Sequence, residues 1–283
     1  MLTISQNLKL GDPPALAARL DLAEALCNGW IEFWYQPKID LRKKQLVGIE
    51  AFTRARHPQN GVLTPSAFMP GAKESDLIAL SEQALAQGLK ANVNFAKLGV
   101  NLRLAVNIPV NALVEIAVTD IVQTYRPQFE TWPGLIIELM EEEIVTDLAL
   151  ANDIAKKLEA IDVQLAIDDC GPGSRALEGL KELPFAEIKL DGAFVADCGT
   201  DKVNAPLCKT VIDLAHSFDK SAVGTGIEKA SDALALVSMG CDCGQGFLLG
   251  RPMPEERFIA LLRQRAASQT RQLSADGAVP ARA

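Results

Sequence analysis

The chain has 283 residues, 48% of them hydrophobic and 23% charged, which is enough to bury the core of one large α/β domain or two small ones. Its net charge of −8 and isoelectric point near 5.0 argue against a nucleic-acid partner, because such domains carry clustered Lys and Arg. No apolar run of about 18 residues and no secretory signal occur, so we expect a cytoplasmic protein without membrane contact.

The first strong pattern is a pair of apolar runs, 32–39 and 45–55, whose polar connection is short enough for an antiparallel hairpin. Strand-like runs then alternate with amphipathic stretches, which is typical of βα units around a mostly parallel sheet. The later strand-like runs are 103–108, 135–139, 164–168, 187–190, 221–224 and 241–248. Helical patterns between them include 75–98, 111–125, 147–161, 203–218 and 229–237.

Eight strands without a domain break predict an α/β fold, a (β/α)8 TIM-like barrel with an antiparallel first strand. We place this barrel domain at residues 17–265. Residues 1–16 form a weakly patterned N-terminal extension. Residues 266–283 are rich in Ala, Arg, Gln and Ser without apolar periodicity, so a disordered C-terminal tail is expected there.

Acidic and amide residues recur where the predicted strands end, at Glu50, Asn107, Glu138, Asp168 and Asp169. One such acid is more often a helix cap or a solvated charge, but the carboxyl ends of barrel strands converge on one mouth. Four carboxylates there would repel one another unless they share protons or bind a divalent cation, and such oxygen ligands suit magnesium or manganese. Adjacent aspartates can serve two ions, as in two-metal hydrolysis of phosphate esters.

Short motifs follow one another in order along residues 17–265. They are Tyr35-Gln36-Pro37, Glu50-Ala51-Phe52-Thr53-Arg54, Asn107 within AVNIP, Glu138-Leu139-Met140-Glu141, Asp168-Asp169, Lys189-Leu190-Asp191 and Gly244-Gln245-Gly246-Phe247. In this order the motifs resemble the EAL domain family, whose active members hydrolyse the second messenger cyclic-di-GMP to linear pGpG. The resemblance implies the EAL type of barrel and cyclic-di-GMP as the ligand.

The resemblance also implies a first metal site for magnesium or manganese, with the ligands Glu50, Asn107, Glu138 and Asp168. Asp168 and Asp169 would contribute to a second metal site. Lys189 matches the lysine beside the attacked phosphate, where an ammonium can stabilise charge on the phosphoryl oxygens. The catalytic residues are therefore expected to be Lys189, Glu50 and Asp168.

Other matching positions are expected to hold the nucleotide or to order a loop. The substrate-binding positions are Gln36, Arg54, Gln245 and Asp191, and Arg54 is best suited to a phosphate oxygen. Glu141 matches the glutamate that anchors the loop after the paired aspartates. In the family, that loop couples metal binding to dimerisation.

One residue and one loop depart most from the family pattern, whereas Phe52 in place of the family's leucine is an apolar exchange that packing should absorb. Thr225 replaces a glutamate that in the family helps bind the second metal and is proposed as the general base for the attacking water. A threonine hydroxyl is a poor ligand and is not ionised at neutral pH, and Glu228 lies too far along the chain to inherit the role. In the loop at 170–177, Pro172 removes an amide donor and the family's aromatic residues are missing.

Three functions stay open from the sequence. The chain could be a divergent cyclic-di-GMP receptor or weak phosphodiesterase, which Thr225 favours. It could be an active metal-dependent phosphodiesterase, which the intact first metal site favours. It could also be a degenerate scaffold that neither binds nucleotide nor needs a metal. Possible partners are a second copy, bound through the barrel face, and a signalling protein.

Overall fold

A computed structural model describes residues 19–128, 132–171 and 181–276 of the chain, with side chains up to residue 265. The strands in these ranges are β1 (Ile31–Asp40), β2 (Gln45–His57), β3 (Gly61–Leu63), β4 (Arg103–Asn107), β5 (Leu135–Met140), β6 (Val163–Cys170), β7 (Phe185–Leu190), β8 (Ser221–Gly224), β9 (Cys243–Gly244) and β10 (Met253–Pro254). The α-helices are α1 (Leu22–Cys27), α2 (Glu74–Ala96), α3 (Val110–Glu115), α4 (Val118–Tyr125), α5 (Glu141–Thr146), α6 (Leu148–Glu159), α7 (Gly192–Val195), α8 (Asn204–Ser217), α9 (Ala230–Met239) and α10 (Glu255–Asp276).

Eight of these strands close into a barrel. Around the ring they run β1, β9, β8, β7, β6, β5, β4 and β2, and the pairing of β2 with β1 completes the circle. β1 is antiparallel to both of its barrel neighbours, whereas the pairings from β2 round to β9 are parallel. The predicted α/β (β/α)8 barrel with an antiparallel first strand is therefore confirmed.

The alternation of side chains along each strand separates the inside of the barrel from its helical jacket. Most of the buried apolar side chains form one core between the strands and the helices. Ala105, Ile136 and Ala166 form a separate small cluster. Each lies two residues before a polar group of the predicted site, so the cluster is an apolar layer directly beneath that site.

Some predicted elements have different bounds in the structure. The helical pattern at 111–125 is split into α3 and α4, because Ile116 takes an extended conformation (ψ 144°) and buries its side chain. The strand predicted at 241–248 is reduced to β9. Gly246 has a φ of 155° and lies so close to the Ile227 backbone that a Cβ there would be 2.2 Å from its nitrogen and oxygen atoms.

The two ends of the chain bear on the predicted domain limits. α10 continues through residue 276, so the backbone of 266–276 is helical where the sequence led us to expect disorder. The predicted extension at 1–16 and residues 277–283 lie outside the described part, and the 17–265 limits stay a prediction. None of the helices in the described ranges has the length and apolar character that a membrane crossing requires.

Candidate functional site

The strand-end acids meet at the barrel mouth. Glu50, Glu138 and Asp168 are fully or almost fully buried, and one carboxylate oxygen of each lies within 4.8 Å of the others. Asn107 joins them, because its Nδ2 donates to Glu50 Oε1 at 2.9 Å and to Glu138 Oε2 at 3.2 Å. The structure thus brings together the four residues expected at a first metal site.

Lys189 extends from β7 into the centre of this cluster and has no exposed surface. Its Nζ donates to Glu50 Oε2 at 3.2 Å, to Asp168 Oδ2 at 3.0 Å and to Glu138 Oε2. Burial alone would lower the pKa of Lys189, but the carboxylates raise it well above its usual value. Lys189 therefore carries a positive charge at neutral pH.

Glu138 responds strongly to this crowding. Burial, followed by repulsion from Glu50, raises the pKa of Glu138 to about 8 despite the nearby Lys189. Its Oε1 atom is buried without a hydrogen-bond partner among the described residues. Without a metal ion, Glu138 therefore keeps its proton at neutral pH, and the three acids share one ammonium and one proton.

These features fit a hard divalent cation. The donor set is three carboxylates, with the Asn107 amide beside them, and carboxylate oxygens suit magnesium or manganese. The unpartnered Glu138 Oε1 is an acceptor that an ion would satisfy. Among the described residues, Gln245 Oε1 is a second buried oxygen without a hydrogen-bond partner, while Gln245 Nε2 donates to Glu50 Oε2 at 3.1 Å.

Asp169 follows the cluster along the chain but is not one of its three carboxylates. Its backbone has a φ of 54°, a left-handed conformation that few residues other than glycine adopt, and its N–H donates to Asp168 Oδ1 at 3.0 Å. The β6 pairing with β7 shifts register between Ile167 and Cys170. The contribution of Asp169 to a second metal site stays a prediction.

Thr225 lies directly after β8 and is fully buried. Its Oγ1 donates to the carbonyl oxygen of Leu190 at 2.7 Å. Glu228 is exposed, so it does not replace the missing carboxylate. In the described structure, the position expected for the base holds a neutral hydroxyl that is already bonded to the backbone.

The residues expected to bind nucleotide differ in how accessible they are. Gln36 is only 4% exposed, and its Nε2 donates to the carbonyl oxygen of Gly250 at 2.8 Å. Gln245 is 1% exposed and is bonded to Glu50. Both amides thus organise the wall of the site in this structure. Asp191 is partly exposed, and its side chain accepts from Ala193 N at 2.8 Å at the start of α7.

Arg54 lies near the end of β2, on the same face as Glu50, and is 8% exposed; its Nη1 donates to the carbonyl oxygen of Thr53 at 2.8 Å. Its guanidinium carbon is 5.7 Å from the ring centroid of Trp34 and 5.9 Å from that of Phe52. Trp34 and Phe52 are paired residues of β1 and β2. The next pair on the same face of these strands, two residues away, is Gln36 and Glu50. Neither ring was among the expected site residues, although the alternation along the strands puts both on the face of the acids.

A second buried ion pair lies deeper in the barrel and was also missed. Lys38 Nζ contacts Glu187 Oε2 at 2.5 Å, and both side chains are less than a tenth exposed. Lys38 is opposite Gly48, where an added Cβ would lie 3.6 Å from the Lys38 Cβ atom. Glu187 precedes Lys189 by two residues on the same face of β7. A lysine inside an otherwise buried strand was the signal available in the sequence.

Glu141 was expected to anchor the loop that follows Asp168 and Asp169. Glu141 is the first residue of α5 and is partly exposed. Residues 172–180, which contain Pro172, lie outside the described part. The anchoring role of Glu141 stays a prediction.

Two curated relatives from Pseudomonas aeruginosa show the extent of the similarity. The cyclic di-GMP phosphodiesterase RocR is 31% identical over 258 residues, which are 90% of this chain and 65% of RocR. The bifunctional diguanylate cyclase/cyclic di-GMP phosphodiesterase MucR is 31% identical over 243 residues, which are 85% of this chain and 36% of MucR. The chain thus spans less than two thirds of the length of either protein.

Solved structures show the same architecture. The PaMucR phosphodiesterase in its c-di-GMP complex gives a TM-score of 0.77 at 32% identity, covering 84% of this chain and 98% of that one. The EAL enzyme Bd1971 in its cAMP- and cyclic-di-GMP-bound form also gives 0.77, at 25% identity, covering 85% of this chain and 67% of that one. The family model for the EAL domain matches residues 19–252. This chain therefore belongs to the EAL domain family.

Proposed function

We propose that this chain is a divergent EAL domain that binds cyclic-di-GMP and acts as a receptor or a weak phosphodiesterase. One observation carries the proposal. The expected first metal site is assembled, whereas the expected base position is Thr225, bonded to a backbone carbonyl. Relatives described as cyclic di-GMP phosphodiesterases and a neighbour solved with c-di-GMP support the choice of ligand.

Magnesium or manganese is the proposed cofactor, held by Glu50, Asn107, Glu138 and Asp168. When bound, such an ion would polarise a phosphoryl oxygen and lower the pKa of a water molecule. Asp169 is the proposed further ligand of a second ion. Without a carboxylate at Thr225, that second ion would be held by fewer protein ligands, which supports a single-ion site.

The chain's own residues can hold and orient the nucleotide without turning it over. Arg54 offers its guanidinium to a phosphate oxygen, and the half-buried rings of Trp34 and Phe52 offer flat surfaces beside it. Lys189 carries a positive charge inside the mouth, where its ammonium could stabilise a phosphate oxygen. What this set lacks is a group that accepts a proton from water at neutral pH.

Two other functions remain as alternatives. Active hydrolysis to pGpG is favoured by the intact acid cluster and by Lys189. A protein-interaction scaffold without nucleotide is disfavoured by the retained Gln36, Arg54 and Gln245. As a receptor, the chain would pass its signal to a second copy through the barrel face or to another signalling protein. These assemblies are part of the proposal.

Calorimetric titration with cyclic-di-GMP, once with calcium and once with magnesium, tests the proposal when it is followed by product analysis. We expect binding in both buffers and little or no pGpG with magnesium. Rapid production of pGpG would favour the active enzyme, and no binding in either buffer would favour the scaffold.

A further inference from the structure

Lys189 is placed where three carboxylates compete for one cation. Its ammonium contacts one carboxylate oxygen of each of Glu50, Glu138 and Asp168. None of these side chains has any exposed surface. These are the acids that bring ligand oxygens within 4.8 Å of one another. The ammonium and a divalent ion would therefore draw on the same oxygens.

The other printed contacts of this cluster differ from that of Lys189, because they come from neutral groups or act at a longer distance. Asn107 and Gln245 donate to it through neutral amides. Lys38, the other buried lysine inside the barrel, makes its ion pair with Glu187. Lys189 is thus a cation in direct contact with all three acids, and this contact offsets part of the cost of burying them.

We infer that Lys189 is an internal counter-cation that competes with the divalent ion, so that binding of the ion displaces its ammonium from the carboxylates. The inference rests on the proposed metal site. Two cations on the same oxygens repel each other strongly in a buried site, and the four-carbon stem of lysine allows the ammonium to move. The displaced ammonium then becomes available to a phosphate oxygen of the ligand, so metal binding would prepare the site for nucleotide.

Manganese binding to the full chain without nucleotide tests the competition. Lys189→Met removes the charge and keeps most of the volume, so it should bind Mn²⁺ at least about tenfold more tightly than the wild type at pH 8. In EDTA the variant should melt at a lower temperature than the wild type, and Mn²⁺ should raise its melting temperature by more. Equal or weaker Mn²⁺ affinity in Lys189→Met would overturn the inference.

Lys38→Met is the matched control, since it also removes a fully buried lysine from the barrel interior. It should lower the melting temperature without the gain in Mn²⁺ affinity. An equal gain in both variants would show that general loosening of the barrel, and not competition by Lys189, is responsible, and would also overturn the inference.

A measurement on the wild type covers the case in which Lys189→Met does not fold. With ¹⁵N-labelled lysine, the Lys189 ammonium signal should shift as Mg²⁺ is added, while that of Lys38 stays in place. An unchanged Lys189 signal at saturating Mg²⁺ would contradict displacement. None of these experiments contains cyclic-di-GMP. A negative result would therefore count against competition between Lys189 and the metal ion, and not against nucleotide binding.

Discussion

The hydroxyl of Thr225 donates a 2.7 Å hydrogen bond to the carbonyl oxygen of Leu190, at the end of the strand that carries Lys189. Oγ1 is also 3.6 Å from the position that a Cβ on Gly192 would take. Thr225 thus fills the space between the ends of β7 and β8 and satisfies a backbone acceptor. The side chain is a structural link at a position where the family resemblance predicts a carboxylate.

Restoring the carboxylate should restore turnover. A positioned general base is typically worth about 10² to 10⁴ in rate, so Thr225→Glu should increase pGpG formation with magnesium or manganese within that range. The measurement is the steady-state rate of cyclic-di-GMP hydrolysis. Thr225→Gln is the matched control, because it has nearly the same size but cannot accept the proton.

Both variants lose the bond to Leu190, so both should lose some stability while folded protein is retained. A similar rate increase in Thr225→Gln would show that the base is supplied elsewhere. No increase in either variant, with cyclic-di-GMP still bound, would show that the missing carboxylate is not what limits hydrolysis.

Removal of the Arg54 guanidinium should weaken nucleotide binding. A hydrogen bond to a charged group is worth enough that Arg54→Ala should lower cyclic-di-GMP affinity roughly ten- to a hundredfold. Arg56→Ala, which loses an exposed ion pair with Glu32, is the control and should bind like the wild type. If Arg54→Ala binds with unchanged affinity, Arg54 does not belong to the site.

The stability effects of Lys38 and Glu187, the buried ion pair beneath the site, should be coupled. Removing one partner leaves a buried charge unpaired, so Lys38→Met should lower the free energy of unfolding by about 3–5 kcal/mol. The double variant with Glu187→Met should lose less than the single variant, because no charge is left unpaired. Urea unfolding measures both, and a double variant that loses the sum of the two single effects would contradict the coupling.

Much of the fold followed from the sequence because its signals are local. Short apolar runs separated by amphipathic stretches predict βα units, and parallel strand ends converge on one mouth, so Glu50, Glu138 and Asp168 could be expected together. α1 was overlooked, although Asp21 followed by Glu24 is a capping signal and Asp21 accepts from Ala23 N and Glu24 N.

The remaining differences come from contacts that are distant along the chain. Gln36 bonds to the carbonyl oxygen of Gly250, 214 residues away, so its burial is not visible in its own motif. Lys38 and Glu187 are 149 residues apart, and their pairing depends on the closure of the barrel. The split of 111–125 depends on whether Ile116 gains more from burial than from helical hydrogen bonds, which tertiary packing decides.

The central claim, that the chain binds cyclic-di-GMP but turns it over slowly or not at all, is tested most directly by one measurement on the unmodified protein. The chain is incubated with cyclic-di-GMP and magnesium or manganese at concentrations for which calorimetry shows binding, and the nucleotides are separated over time. We expect bound cyclic-di-GMP to remain intact, with little or no pGpG. Fast and complete conversion to pGpG would contradict the claim and would show that a proton acceptor other than residue 225 serves the site.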